Sequence, residues 1–119
     1  MKLDSNSMFE IKDLRIYQKA LVLVKVVYGF IRNNPKLSRD YSLCDQIKRA
    51  SVSVPANISE GFFRSKKQTK NYLEISSGSA NEVITLLKII FLVYEINTNK
   101  LQEEYTILSK QINSFSSKF

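Results

Sequence analysis

Two polar stripes and one basic turn hold the residues of this chain best suited to chemistry. Gln46, Arg49, Ser53, Asn57, Glu60 and Arg64 recur every three or four residues, the spacing that lines up side chains along one face of a helix. Glu74, Gly78, Asn81, Glu82, Thr85 and Lys88 form a comparable strip further on. Brought together in a pocket, the carboxyls of Glu60 and Glu82 could act as an acid–base pair. Without a pocket signal in the sequence, the stripes read better as a solvated face, or as a hydrogen-bonded network of Arg49, Asn57, Glu60 and Glu82 that fixes helix register.

Other catalytic chemistry finds little material. The chain has no histidine and one cysteine, Cys44. It therefore lacks the ligands of an ordinary zinc site and the Glu-x-x-His pairs of a di-iron bundle. Cys44 has no histidine to activate it, and neither a G-x-S-x-G elbow nor a phosphate-binding glycine loop is present. The expectation is a non-enzymatic protein with no catalytic residue, no metal and no cofactor. Gly61 and Gly78 stand alone and mark places where helices approach closely or bend.

Charge points outward, to partners. Eighteen Lys and Arg against 11 Asp and Glu give a net charge of +7 and a pI near 9.6. Such an excess attracts acidic partners, of which nucleic acid is the commonest. Arg64, Lys66, Lys67 and Lys70 cluster in one turn and, with Lys48 and Arg49, make the best candidate for a phosphate-contacting patch. Contacts of this kind add affinity by counterion release and carry little sequence preference. The sequence marks no aromatic as clearly exposed beside the lysines to stack bases, although Phe62, Phe63 and Tyr72 are candidates. The plainer reading is an ordinary solvated turn.

The elements that must position these residues are helices. Three glycines and two prolines among 119 residues leave few breakers, which suits long helices in one domain spanning residues 1–119. Apolar periodicity places helices at about 13–32, 42–63, 66–96 and 100–116. Asp13 is the expected cap of the first, Ser42 with Asp45 of the second, Ser65 with Gln68 of the third and Asn99 with Gln102 of the fourth. Pro55 falls inside the second helix, whose apolar pattern continues to Ile58 and Phe62, so a kink is expected there and not a break. The third carries Leu73, Ala80, Leu87 and Tyr94 on one row and Tyr72, Ile75, Leu86, Ile89 and Val93 on another, and is expected to be the most buried. Short turns between four helices predict an all-α, antiparallel up-down-up-down bundle.

The same features bear on compartment. A lone thiol is typical of a reducing environment. Asp4, Glu10 and Asp13 interrupt the region where a secretory signal would be apolar. The apolar run Val83 to Ile96 contains Thr85, Lys88 and Glu95 and reads as too short and too charged to span a bilayer. A cytoplasmic protein is expected.

Three ordered segments carry a resemblance: F-E-I-K-D-L-R-I-Y-Q-K-A at Phe9 to Ala20, Q-I-K-R-A-S-V-S-V-P-A-N-I-S-E-G at Gln46 to Gly61, and Y-L-E-I-S-S-G-S-A-N-E at Tyr72 to Glu82. Together they resemble the four-helix-bundle family also called the 23S rRNA intervening-sequence proteins, small bacterial proteins of which some are encoded within ribosomal RNA genes. That family is similar to Avd, the accessory protein of diversity-generating retroelements, a basic pentameric barrel that binds nucleic acid and a reverse transcriptase. The resemblance implies a homopentamer here, and maps the family's motif onto Gln46, Arg49, Asn57, Glu60, Gly61, Gly78, Ser79 and Glu82. Lys48 stands where relatives more often carry Arg, and Ser59 where many carry Ala. The function expected is an oligomeric accessory protein that binds RNA or DNA through its basic patches. The rival is a scaffold that docks a partner polypeptide and has no nucleic-acid role.

Overall fold

The computed structural model describes Ile11 and residues 14–119. Five helices follow in order: α1 (Arg15–Arg32), α2 (Pro35–Ser38), α3 (Tyr41–Gly61), α4 (Lys66–Tyr94) and α5 (Asn99–Ser116). No strand occurs among the described residues. The long helices pack into an elongated bundle of 49 × 22 × 21 Å, in which α4 is held between α3 and α5 while α1 lies closely on α3 and only lightly on α5.

Hydrogen bonds between helices set their directions. Ser53 meets Ser79 at 2.8 Å and Ser76 donates to the Val54 carbonyl at 2.8 Å, so numbers fall on α4 as they rise on α3. Across α5, Ser77 meets Ser109 at 3.2 Å, Ser109 donates to Asn81 at 3.0 Å, and Thr98 donates to the Leu87 carbonyl at 3.0 Å. Both pairs are therefore antiparallel. Ile16, Ala20, Leu23 and Val27 on α1, Ile47, Val54 and Ile58 on α3, Leu73, Ala80 and Leu87 on α4, and Leu101, Tyr105, Leu108 and Ile112 on α5 fill the space between. Tyr105 brings its hydroxyl into this core without a hydrogen-bond partner among the described residues.

Several boundaries differ from the sequence reading. The expected cap Asp13 lies outside the described residues, and the residue preceding α1 is Leu14, which makes no side-chain cap. Pro35 ends the apolar pattern of α1 but opens α2, because its fixed φ suits a first helical position. That short helix drops Leu37 into the core with no exposed surface. The second long helix begins at Tyr41, earlier than expected. Its cap is Asp40, whose carboxylate accepts the Leu43 N–H at 3.1 Å, so Ser42 falls inside the first turn and the Ser42–Asp45 box does not form. The helix then runs unbroken through Pro55 and ends at Gly61.

Ser65 caps α4 as expected, its hydroxyl accepting the Gln68 N–H at 3.3 Å. The helix stops at Tyr94 because Glu95 turns left-handed, with φ 57°. Asn99 is already the first residue of α5 and not its cap. Thr98 takes the boundary position, accepting from the Gln102 side chain at 2.8 Å.

α4 is also less enclosed than its composition suggests. By length and composition alone it could cross a bilayer. Here its Leu73–Ala80–Leu87 row is buried, whereas Ile75, Ile89, Leu92 and Val93 are exposed. Among the described residues α4 has α3 and α5 along its length and touches α2, which leaves part of a helix that is apolar nearly all round uncovered.

One polar tie joins distant parts of the bundle. Tyr94 donates its hydroxyl to Asp40 at 2.6 Å, linking the end of α4 to the start of α3. That bond first, and the Leu43 N–H second, hold the Asp40 carboxyl below its ordinary value of 3.8 against a smaller opposing effect of burial. A carboxylate depressed in the fold stabilises it above that ordinary value, and the contribution is lost as pH falls through the lower one. Melting temperature should therefore drop more steeply on acidification below about pH 4 in the native chain than in Asp40→Asn. Equal acid limbs in circular dichroism melts would show the tie to be inert.

Candidate nucleic-acid interface

The turn between α3 and α4 is built around Gly61. A Cβ placed there would lie 2.8 Å from Cβ of Tyr72 and 3.4 Å from the Thr69 carbonyl oxygen, so the close crossing requires glycine. The buried Thr69 hydroxyl donates to the Gly61 carbonyl at 2.8 Å and pins the start of α4 to the end of α3. Between them the chain must reverse in four residues. Phe62 is extended, Phe63 takes a left-handed φ of 61°, and Ser65 opens α4.

This turn places Arg64, Lys66, Lys67 and Lys70 at one end of the bundle, all four exposed. Arg64 is the ordered one. Its guanidinium lies 5.5 Å from the Tyr72 ring centre, donates to the Glu60 carbonyl, and pairs with the Glu60 carboxylate at 3.2 Å. No carboxylate among the described residues pairs with Lys66, Lys67 or Lys70. Their charge is therefore available to a partner.

Lys48 and Arg49 do not join this patch. They precede Gly61 by 13 and 12 positions along a continuous helix, which puts them about 20 Å away. Lys48 is half-buried with its ammonium 5.0 Å from the Tyr28 ring centre, and Arg49 pairs with Asp45 at 2.9 Å.

The polar stripes divide in the same way. Asn57 donates to Ser53 at 2.9 Å, and Ser53 in turn meets Ser79 across the α3–α4 contact. Arg49 and Glu60 instead bond along their own helix, to Asp45 and Arg64. Gln46, Gly78 and Glu82 are exposed. Gly61 lies level with Tyr72, so Glu82 sits about 15 Å further along α4 than Glu60. The two carboxylates thus share no pocket, and the arrangement lends nothing to acid–base chemistry. Cys44 is buried, donates to the Leu37 carbonyl at 3.0 Å, and has its thiol pushed up by burial, with Lys48 partly opposing. Such a thiol is a packing residue. No group of three Cys, Asp or Glu side chains converges among the described residues.

Two features escaped the sequence reading. Gly78, expected like Gly61 to mark a close approach or a bend, has nothing among the described residues within 4 Å of where its Cβ would be, so no close approach within the described bundle accounts for it. A groove of about 980 Å³ also opens between α1 and the start of α5, lined by Val22, Val26, Phe30 and residues 97–101. Its signal was present: Val22 and Val26 are apolar, four apart, and off the buried row of α1.

Comparison with known proteins follows the fold. A family model described as 23S rRNA-intervening sequence protein matches residues 12–114. A crystal structure of a protein of unknown function from the S23 ribosomal protein family of Bacteroides thetaiotaomicron superposes with a TM-score of 0.78. The match covers 85% of this chain and 97% of that one at 21% identity, a likeness of fold. No curated protein matches.

Proposed function

We propose, starting from the fact that this chain belongs to the 23S rRNA-intervening sequence protein family, that it is a cytoplasmic, non-enzymatic, oligomeric protein that binds RNA or DNA through its α3–α4 turn. The observation that carries this reading is the cluster of Arg64, Lys66, Lys67 and Lys70 on a pinned turn, with three lysines unpaired among the described residues. Cations clustered on one turn release counterions from a phosphate backbone when they contact it. The net charge of +7 adds long-range attraction.

Self-association is supported by the uncovered side of α4. Ile75, Gly78, Glu82, Thr85, Ile89 and Leu92 alternate by three and four, the spacing of a helix seam, and all are exposed. Gly78 costs the middle of this helix about 1 kcal/mol relative to alanine. Nothing among the described residues lies within 4 Å of its missing Cβ, and a close-packed second copy on that face would give the glycine a use. The number proposed, a closed ring of five, is the one that a resemblance to retroelement accessory proteins would imply.

Light scattering across a salt series, with and without a mixed pool of RNA and DNA oligonucleotides, tests the reading. The expected result is a particle near five times 13.7 kDa that gains mass with nucleic acid at low salt and loses it steeply as salt rises. A monomer would overturn the assembly. An oligomer indifferent to nucleic acid would favour a second reading, in which the groove between α1 and α5 docks a partner polypeptide, a reverse transcriptase being one example.

A further inference from the structure

We propose that Phe63 stacks on an unpaired base, so that the nucleic acid taken at the α3–α4 turn is single-stranded. The inference rests on the proposed nucleic-acid role and adds the class of strand. Phe63 has φ 61°, a left-handed backbone that bulky side chains rarely adopt and that glycine supplies without strain. The turn accepts that cost and places an aromatic ring outside the hydrophobic core, against Phe62 alone among the aromatic rings described. Phe63 is 37% exposed and belongs neither to the core nor to the side chains packed against it. Phe62 is its neighbour, with ring centres 4.3 Å apart.

The cations already described belong to the same turn and to the start of the helix that follows it. Arg64 follows it directly and lies over Tyr72, and Lys66, Lys67 and Lys70 occupy the first turn and a half of α4. A partly exposed aromatic on a turn with one paired arginine and three lysines that no carboxylate pairs among the described residues has the composition of a single-strand platform: the cations track phosphates while the ring takes the face of a base. In a duplex those faces are already stacked on one another, and a ring on a turn meets only groove edges and backbone. The ring and the cations also differ in how salt affects them. Stacking shifts affinity equally at every salt concentration, whereas phosphate contacts set the slope.

Two variants separate these effects. Phe63→Gly removes the ring while relieving the left-handed strain, so it tests stacking without endangering the turn. It should weaken binding of an oligo-dT or oligo-rU strand about tenfold or more, with an unchanged salt slope and unchanged duplex binding. Phe63→Trp gives a chain that otherwise has no tryptophan a single reporter in the site. Its fluorescence should be quenched by either single strand and not by a duplex of equal charge, and the dT and rU arms show whether the sugar matters. Undiminished single-strand binding by Phe63→Gly, or unquenched fluorescence of Phe63→Trp at saturation, would overturn the stacking role and leave the phosphate contacts standing. If the native chain binds neither strand nor duplex, the proposed function falls and this inference with it.

Discussion

Replacing Arg64, Lys66, Lys67 and Lys70 together with glutamine is expected to lower affinity for an oligonucleotide by about three orders of magnitude at 0.1 M salt. The figure follows from counterion release, at about 0.7 to 0.9 in the slope of log K against log salt for each phosphate neutralised. Four contacts would flatten that slope by about 3. Arg64 shares its charge with Glu60, so its share of the loss should be the smallest of the four. The variant should fold, because all four side chains are exposed and none supports the core. Changing Lys48 and Arg49 instead should have little effect, since both lie far from the turn and each is engaged elsewhere. Anisotropy titrations at several salt concentrations distinguish the cases. An unaltered slope in the fourfold variant would remove the turn from the binding surface.

Gly61→Val should be the most damaging single change near that surface, at about 3 kcal/mol. The atom it would strike is Cβ of Tyr72, which is fixed to the α4 backbone and cannot swing aside as the tip of a long side chain could. Relief requires α3 and α4 to part, and parting stretches the Thr69 to Gly61 hydrogen bond that pins the turn. Against a total stability of about 5–15 kcal/mol, such a loss is large. The contrast is Gly78, where an added Cβ meets no described residue within 4 Å. Gly78→Ala should raise the stability of an isolated subunit by up to about 1 kcal/mol through helix propensity. Urea midpoints measured for both variants test the pair; a Gly61→Val midpoint close to the native one would mean that the helices separate at little cost.

Those two glycines show where sequence stops informing. Each is isolated among helix formers, and nothing local tells that one sits at a crossing and the other faces outward. What was legible depended on repetition. The apolar rows of α1, α3, α4 and α5 recur at helical spacing over many turns, and their buried members are largely those the spacing picked out. α2 has one turn and therefore no period, and Pro35 read as a stop signal when it was also a start. Capping was harder because several short polar residues compete at each boundary. Asp40 prevailed over Ser42 through its additional bond to Tyr94, 54 residues away, which no local reading reveals.

The candidate site was legible as composition and obscure as geometry. The cluster at Arg64 to Lys70 is contiguous and needed no folding to be seen. The separation of Lys48 and Arg49 from it follows from helix rise alone. The left-handed backbone at Phe63 left no mark, since phenylalanine is among the residues least expected there. The serine contacts between α3, α4 and α5 were equally hidden, because serine reads as surface until a partner appears opposite it.

Those serines bear on how many ways the chain can misfold. Leu73, Ala80 and Leu87 repeat every seven residues, and so do Ser76, Val83 and Ile90. Sliding α4 by two turns along α3 would therefore return apolar groups to apolar sites, and burial alone would separate the two packings weakly. The hydroxyls break this near-degeneracy. A slide of seven residues that brings Val83 opposite Val54 takes the Ser76 hydroxyl from the Val54 carbonyl, and parts Ser79 from Ser53. Each buried polar group left without a partner costs about 1–3 kcal/mol. The loss of such hydroxyl bonds separates the native packing from this slipped one by on the order of a few kcal/mol. In this bundle the apolar rows supply the drive to collapse, and a few small hydroxyls decide which of the collapsed states is reached.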